Sequence, residues 1–250
     1  MLAEASIRHA EVVAGSLRAQ RRLLGDADVA GVAALLADPA RAAIVDALMD
    51  GGTLRAGELA RRAGIAPSTA SGHLARLLAG GLVACDRRGR ERRYRLASAA
   101  VAEGIEALAR LARPVEVRSL RGADRGTAIR TARTCYDHLA GRLGVSLTEA
   151  LVGQGVLLAR DSAYEVTTAG ELTLGRLGVD VAAARASRRS FARACLDWSE
   201  RRPHVAGALG AALADALMAR GWITRRPGDR GLLVTATGTR ELRRLGVELL

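Results

Sequence analysis

The chain has 250 residues, 49% of them hydrophobic and only 2% aromatic, and its formal net charge is +12, with arginine as the sole basic side chain apart from 4 histidines. That length and apolar content supply one large core or two ordinary ones, built from Leu, Val and Ala. Three cysteines, odd in number and widely spaced, exclude a disulfide framework. The longest apolar stretch, 205–219, is interrupted by Asp215 and is too short to span a bilayer. The opening MLAEASIRHAEVV lacks the charged-then-apolar order of a secretory signal, so a soluble cytoplasmic protein without a membrane partner is expected.

Helical spacing runs through 3–24 and 29–36, and Asp38-Pro39 opens a further helix. The most informative stretch is 53–96. An apolar-periodic run through Leu59 and Ala60 stops at Gly64. Pro67 suits the first position of a new helix, which carries Leu74, Leu77 and Leu78 to Gly80-Gly81. Leu82 and Val83 read as a strand, Gly89 as the tip of a hairpin, and Tyr94 and Leu96 as the return strand. Helix, tight turn, polar-faced helix and basic hairpin is the order of a winged helix-turn-helix, whose second helix fits the DNA major groove. This stretch holds ten arginines against Glu58, Asp86 and Glu91, more than half of the whole surplus. Arginine clasps phosphate or a guanine edge with two hydrogen bonds, so the cluster points to double-stranded DNA; the plain alternative is a solvated, arginine-rich surface.

These residues carry a family resemblance. LADPARAAIVDAL (36–48), ELARRAGIAPSTASGHL within the motif, and the arginine wing ending in YRL resemble the ArsR-type bacterial repressors, over residues 28–112. The resemblance implies that the helices flanking the wing form a homodimer that reads a near-palindromic site. Pro67, Ser68, Thr69, Ser71 and His73 would then sit at the major groove. Spacing adds Arg76, with His73 and Arg76 as the readers of base edges. Arg87, Arg88, Arg90, Arg92 and Arg93 form the wing. The family's familiar sensor positions are absent: Gly57, Glu58 and Leu59 stand where a Cys-x-Cys would be. Ala102, Glu106 and Ala109 stand where the Asp and His ligands of the helix after the wing would be.

Residues 98–111 place Val101, Ile105, Leu108 and Leu111 on one apolar helix face, which suits dimerisation or burial within the monomer. Residues 113–126 read as a linker. Beyond it lies an internal repeat, about 127–182 and 187–250: HLAGRLGVSLTEALVGQGV (138–156) lines up with HVAGALGAALADALMARGW (204–222). YEVTTAG (164–170) matches LLVTATG (232–238), and GRLGVD (175–180) matches RRLGVE (243–248). The first copy also echoes the helix-turn-helix, with Gly144 at the place of Gly64 and Ser146 and Glu149 at capping-box spacing, which predicts a second helix starting there. The repeats therefore read as two degenerate winged-helix-like units. Leu147, Glu149, Leu213 and Asp215 replace the polar reading residues, so sensing or assembly is expected of them.

Cys135 and His138, three apart, share one face of a predicted helix. Cys195 precedes His204 by one predicted helix. Because the histidines occupy matching repeat positions, pseudo-two-fold packing would bring all four together, and two thiolates with two imidazoles suit Zn²⁺ or another soft divalent metal. Asp137 and Asp197 are reserve ligands. The alternative is small buried thiols and packing histidines. Tyr136, Phe191 and Trp198 flank the two cysteines and would line a small-molecule pocket or fill a core.

The sequence thus predicts a mainly α fold with small β-hairpin wings (α+β). Residues 1–112 would read DNA and dimerise, and 127–250 would sense an effector, a metal ion or small molecule. The function expected is a sequence-specific transcriptional repressor, not an enzyme. The alternatives are an architectural protein holding phosphates alone, or an enzyme using Cys135 or Cys195 as nucleophile.

Overall fold

Short polar side chains and prolines set the helix starts. A computed structural model of the protein describes residues 27–113 and 119–248, so the helix predicted over 3–24 lies outside the described residues. Asp28 caps α1 (Val29–Leu36), and Asp38 caps α2 (Pro39–Ala47), accepting a hydrogen bond from the Arg41 amide at 2.9 Å. A two-residue strand, β1 (Leu54–Arg55), leads into α3 (Ala56–Ala63), which ends at Gly64, and Pro67 opens α4 (Pro67–Ala79). Strands β2 (Val83–Arg88) and β3 (Glu91–Leu96) form the hairpin, antiparallel with Val83 opposite Leu96 and Arg88 opposite Glu91; β1 pairs on the outer side of β3. Helix α5 (Ala99–Leu111) follows, capped by Ser98. Ile44, Leu48, Leu59, Leu74, Leu77 and Leu96 fill the core of this winged unit. Each fully buried leucine contributes roughly 2 kcal/mol.

The predicted linker is half helical. Ser119 Oγ accepts from the Gly122 amide at 3.1 Å and starts α6 (Leu120–Thr131). The serine cap outweighs the one helical glycine, Gly122.

The second half runs β4 (Arg133–Cys135), β5 (His138–Ala140), α7 (Gly141–Gly153), β6 (Leu157–Ala159), β7 (Tyr164–Val166), α8 (Thr168–Arg176) and α9 (Val181–Ala186). It then repeats the order as β8 (Ala194–Leu196), β9 (Pro203–Val205), α10 (Gly207–Ala219), β10 (Ile223–Arg225), β11 (Leu232–Val234) and α11 (Ala236–Arg244). Each copy is hairpin, long helix, hairpin, short helix, and among the described residues α9 follows the first copy alone. It is not a helix-turn-helix: Gly144 and Ser146 lie inside α7, so the helix break expected at 144 and the helix start expected at 146 do not occur. Gly144 serves packing instead. A Cβ there would lie 2.4 Å from the Leu139 carbonyl oxygen and 3.7 Å from the His204 Cβ. Its counterpart Gly210 would meet the Val205 oxygen at 2.5 Å and the His138 Cβ at 3.1 Å.

That reciprocity defines the packing of the copies. Helix α7 lies against β9 and α10 against β5. The first hairpin of each copy also joins the second hairpin of the other. Leu232 N donates to the Ala132 oxygen (2.9 Å), and Tyr164 N donates to the Ala192 oxygen (2.8 Å). Leu139, Leu143, Leu147 and Leu151 of one copy share a single core with Val205, Leu209, Leu213 and Leu217 of the other. Among the described residues, no helix is long and apolar enough to cross a membrane.

Candidate nucleic-acid interface and metal centre

Helix α4 buries Ala70, Leu74 and Leu77, so its opposite side faces outward: Pro67, Ser68, Thr69, Ser71 and Arg76 are exposed. His73 is not in that row. Its side chain is 15% exposed, with Nδ1 3.8 Å from Asp38 Oδ1, turned toward the start of α2. It therefore stands at the edge of the exposed face, beside Asp38, while Arg76 stands fully on it. The Ser71 hydroxyl donates to the Pro67 oxygen at 3.2 Å, four residues back.

In the wing, Arg87, Arg90 and Arg92 are exposed, Arg92 with its guanidinium 5.8 Å from the centre of the Tyr94 ring. The backbone of Arg88 lies on β2 opposite Glu91. Arg93 points the other way: its Nε lies 3.0 Å from Glu91 Oε1, and its Nη1 donates to the Thr53 oxygen at 3.4 Å. It holds β3 to the turn before β1 and is not a free cation. Glu91 also pairs with Arg55, and the hydrogen bond from Arg55 holds its carboxyl below the ordinary value.

Cys135 and His138 do not share a helix face. They end β4 and begin β5, directly opposite each other across a two-residue turn, Tyr136-Asp137. The i, i+3 spacing fits a helix or a hairpin, and Tyr136 adopts φ 62°, a turn conformation uncommon for an aromatic residue. Cys195 and His204 form the matching cross-strand pair of β8 and β9, with a loop in place of the predicted helix. The pseudo-symmetric packing faces the two pairs toward each other, and one ligand atom from each of the four residues lies within 4.8 Å of the others. All four are buried: Cys135 is 3% exposed, His138 2%, Cys195 6% and His204 0%.

The two imidazoles meet through Nε2 atoms 3.2 Å apart. Each turns Nδ1 toward a carboxylate: Asp137 Oδ1 at 3.4 Å from His138, and Asp197 Oδ2 at 3.5 Å from His204. Asp137 and Asp197 therefore stand behind the histidines rather than beside the cysteines. Each carboxylate has its own arginine, Arg189 for Asp137 and Arg133 for Asp197 (2.8 Å). Burial pushes the Asp197 carboxyl up, yet Arg133, Ser199 and the amides of Gly141 and Glu200 together hold it far below its ordinary value. The hydrogen bond from Cys135 pulls the Cys195 thiol far down against burial, with His138 and His204 adding to the pull. Cys135 is pushed up by that same bond and by burial. Burial lowers His138, but Asp137 and Cys195 outweigh it and raise it overall.

Sequence reasoning missed the ion network around this cluster. Arg133 is fully buried under the Trp198 ring, 4.8 Å from its centre, and reaches Asp197 and, at 3.9 Å, Glu106. Glu106, 1% exposed on α5, also accepts from Arg230 at 2.5 Å. Its signal was positional: Ala102 and Glu106, four apart, share the inward face of α5. Trp198 covers Arg133, and Tyr136 packs at the margin of the winged unit's core.

A helix-turn-helix domain family matches residues 36–86. A curated relative, the uncharacterized HTH-type transcriptional regulator YdfF of Bacillus subtilis (strain 168), is 45% identical over 211 residues, 84% of this chain and 93% of that protein. Such a span reaches well into the second half. Among solved structures, NolR from Sinorhizobium fredii is 32% identical over 33% of this chain and 81% of that one, with a TM-score of 0.31. The cadmium metal-sensor CMTR from Mycobacterium tuberculosis is 35% identical over 36% and 94%, with a TM-score of 0.31. The long match to YdfF is what decides: the chain belongs to the HTH-type transcriptional regulators, and its helix-turn-helix carries a β-hairpin wing.

Proposed function

We propose that the protein is a dimeric, sequence-specific transcriptional repressor that acts in the cytoplasm, with reading and dimerisation in residues 1–112 and effector sensing in 127–250. The observation that carries the reading is the exposed row Pro67, Ser68, Thr69, Ser71 and Arg76 beside a wing with Arg87, Arg90 and Arg92 exposed. Arg76 reads base edges, the short polar residues hold phosphates or read loosely, and the wing arginines straddle the backbone. Dimerisation is supported by apolar side chains left exposed on the helices flanking the wing: Val29 (48%), Val32 (43%), Leu108 (51%) and Leu111 (83%). A two-fold dimer presents two copies of α4 about one DNA turn apart, to a near-palindromic operator.

Regulation by the second half is supported by its direct attachment to the winged unit. Glu106 joins Arg230, Glu103 pairs with Arg193 at 2.6 Å, and the Tyr136 amide donates to the Met49 oxygen at 2.8 Å. The burial of Cys135 and Cys195 weighs against a thiol nucleophile, which must meet its substrate. Footprinting the full chain on the DNA upstream of its own gene tests the proposal. A protected segment with two half-sites about 34–36 Å apart is expected. Uniform protection without a preferred segment would favour the architectural reading instead.

A further inference from the structure

Resting on that reading, we propose that the effector is a borderline-soft divalent metal ion of the zinc class, held by Cys135 Sγ, His138 Nε2, Cys195 Sγ and His204 Nε2. Four features of the cluster lead to it.

Separation comes first. An ion with metal–nitrogen distances of about 2.0–2.1 Å in a tetrahedron sets its two nitrogens roughly 3.3 Å apart. The two Nε2 atoms stand at 3.2 Å, and all four donors fit within 4.8 Å. Little movement is needed to close them on one ion.

Orientation comes second. Both Nδ1 atoms lie on the carboxylate side, Asp137 Oδ1 at 3.4 Å and Asp197 Oδ2 at 3.5 Å, and a proton on each Nδ1 would leave both Nε2 lone pairs facing the same point, where a cation would hold them together. The carboxylate behind each ring is the partner that fixes a ligating histidine.

Charge comes third. Two thiolates and two neutral imidazoles balance one divalent ion, so the filled site is neutral in an interior where net charge is costly. The neighbouring charges are already matched, Asp137 with Arg189 and Asp197 with Arg133.

Donor type comes last. Two sulfur and two nitrogen donors select zinc, cobalt or cadmium over magnesium or calcium, which take six or more oxygens.

The site also has a route to DNA. Its four donors come from hairpins of both repeats, so one ion fastens β4–β5 to β8–β9. The turn between Cys135 and His138 carries Tyr136, whose amide holds Met49 just after α2. Filling the site fixes that turn, and through Met49 it biases the orientation of the winged unit that presents α4.

The test uses Co²⁺ with the full, reduced chain, read by absorbance. The expected result is saturation at one Co²⁺ per chain, with ligand-field bands of a tetrahedral ion, a thiolate-to-metal charge-transfer band, and displacement by Zn²⁺. Cys195→Ser and His204→Ala should each weaken uptake at least tenfold, and Cys85→Ser should leave it unchanged. Alkylation of the unmutated chain in mild denaturant, where buried thiols react as the fold opens, covers the case in which a variant fails to fold: Co²⁺ should slow modification of Cys135 and Cys195 but not of Cys85. No saturable uptake, or uptake indifferent to these variants with no thiol protected, would overturn the site. Uptake that leaves operator affinity within twofold would overturn its role as effector. Failure to prefer operator DNA in either form would be a failure of the DNA-reading proposal and leave the metal result standing.

Discussion

The backbone amide of Tyr136 donates to the carbonyl of Met49 at 2.8 Å, so the two-residue turn of β4–β5 is fastened to the turn just after α2. Cys135 and His138 flank that turn, which places the candidate centre one residue from a contact with the winged unit. The fit there is close. A Cβ on Gly51 would lie 2.7 Å from the Tyr136 oxygen, and Gly51 has φ +72°. Gly51→Ala should therefore cost about 1–2 kcal/mol from the left-handed backbone alone. It should also shrink the difference in operator affinity between metal-loaded and chelated protein. Urea unfolding and anisotropy on the same preparation check both.

Arg90→Ala should weaken binding to operator and scrambled duplex alike, and reduce the salt slope by about one, because a wing arginine on phosphate carries no sequence information. Arg76→Ala should instead lose about 1–3 kcal/mol on the operator and much less on the scrambled duplex. Titrations at several salt concentrations separate the two effects.

His73→Ala should leave sequence preference unchanged and lower stability modestly, since the imidazole lies against Asp38 at the edge of the outer face of α4. Thermal unfolding together with a binding-site selection checks this, and a changed preferred site would restore His73 to the reading face.

The sequence disclosed the winged unit well because its punctuation is local: Asp38-Pro39, Gly64, Pro67 and Gly89 each fix a boundary in place. The repeat was legible from a nearly constant offset, and it gave a reason for the four donors to meet. What the sequence did not disclose was how. CYDH reads equally as one helical turn or a two-residue hairpin, and no Gly or Asn marks Tyr136 as the residue that takes positive φ. The echo of the helix-turn-helix around Gly144 misled because that glycine is small to let α7 pass the Leu139 carbonyl oxygen, 2.4 Å from where a Cβ would lie, and not to end a helix. Glu106, Arg133 and Arg230 could not be paired from sequence either, since their partners come from three distant elements.

Glu106→Gln should be destabilising, by about 1–3 kcal/mol, because it removes the buried carboxylate between Arg230 and Arg133 and leaves them Asp46 and Asp197 alone. Equilibrium urea unfolding at neutral pH measures the loss, and a change under 1 kcal/mol would mean that the network is solvated.

Replacing both Leu108 and Leu111 with Glu should leave the fold intact, because 51% and 83% of their surface is already exposed, and should convert the dimer to monomer in sedimentation equilibrium. A monomeric parent protein would contradict the dimer directly.

The most direct single measurement is fluorescence anisotropy of the full chain, at about 0.15 M salt, on its own upstream DNA and on a scrambled duplex. Each is titrated with Zn²⁺-loaded and with chelated protein. The account predicts a clear preference for the upstream DNA and a change of at least fivefold in its affinity between the two forms, within the usual range of allosteric coupling. Equal affinity for both duplexes, unchanged by zinc, would contradict it.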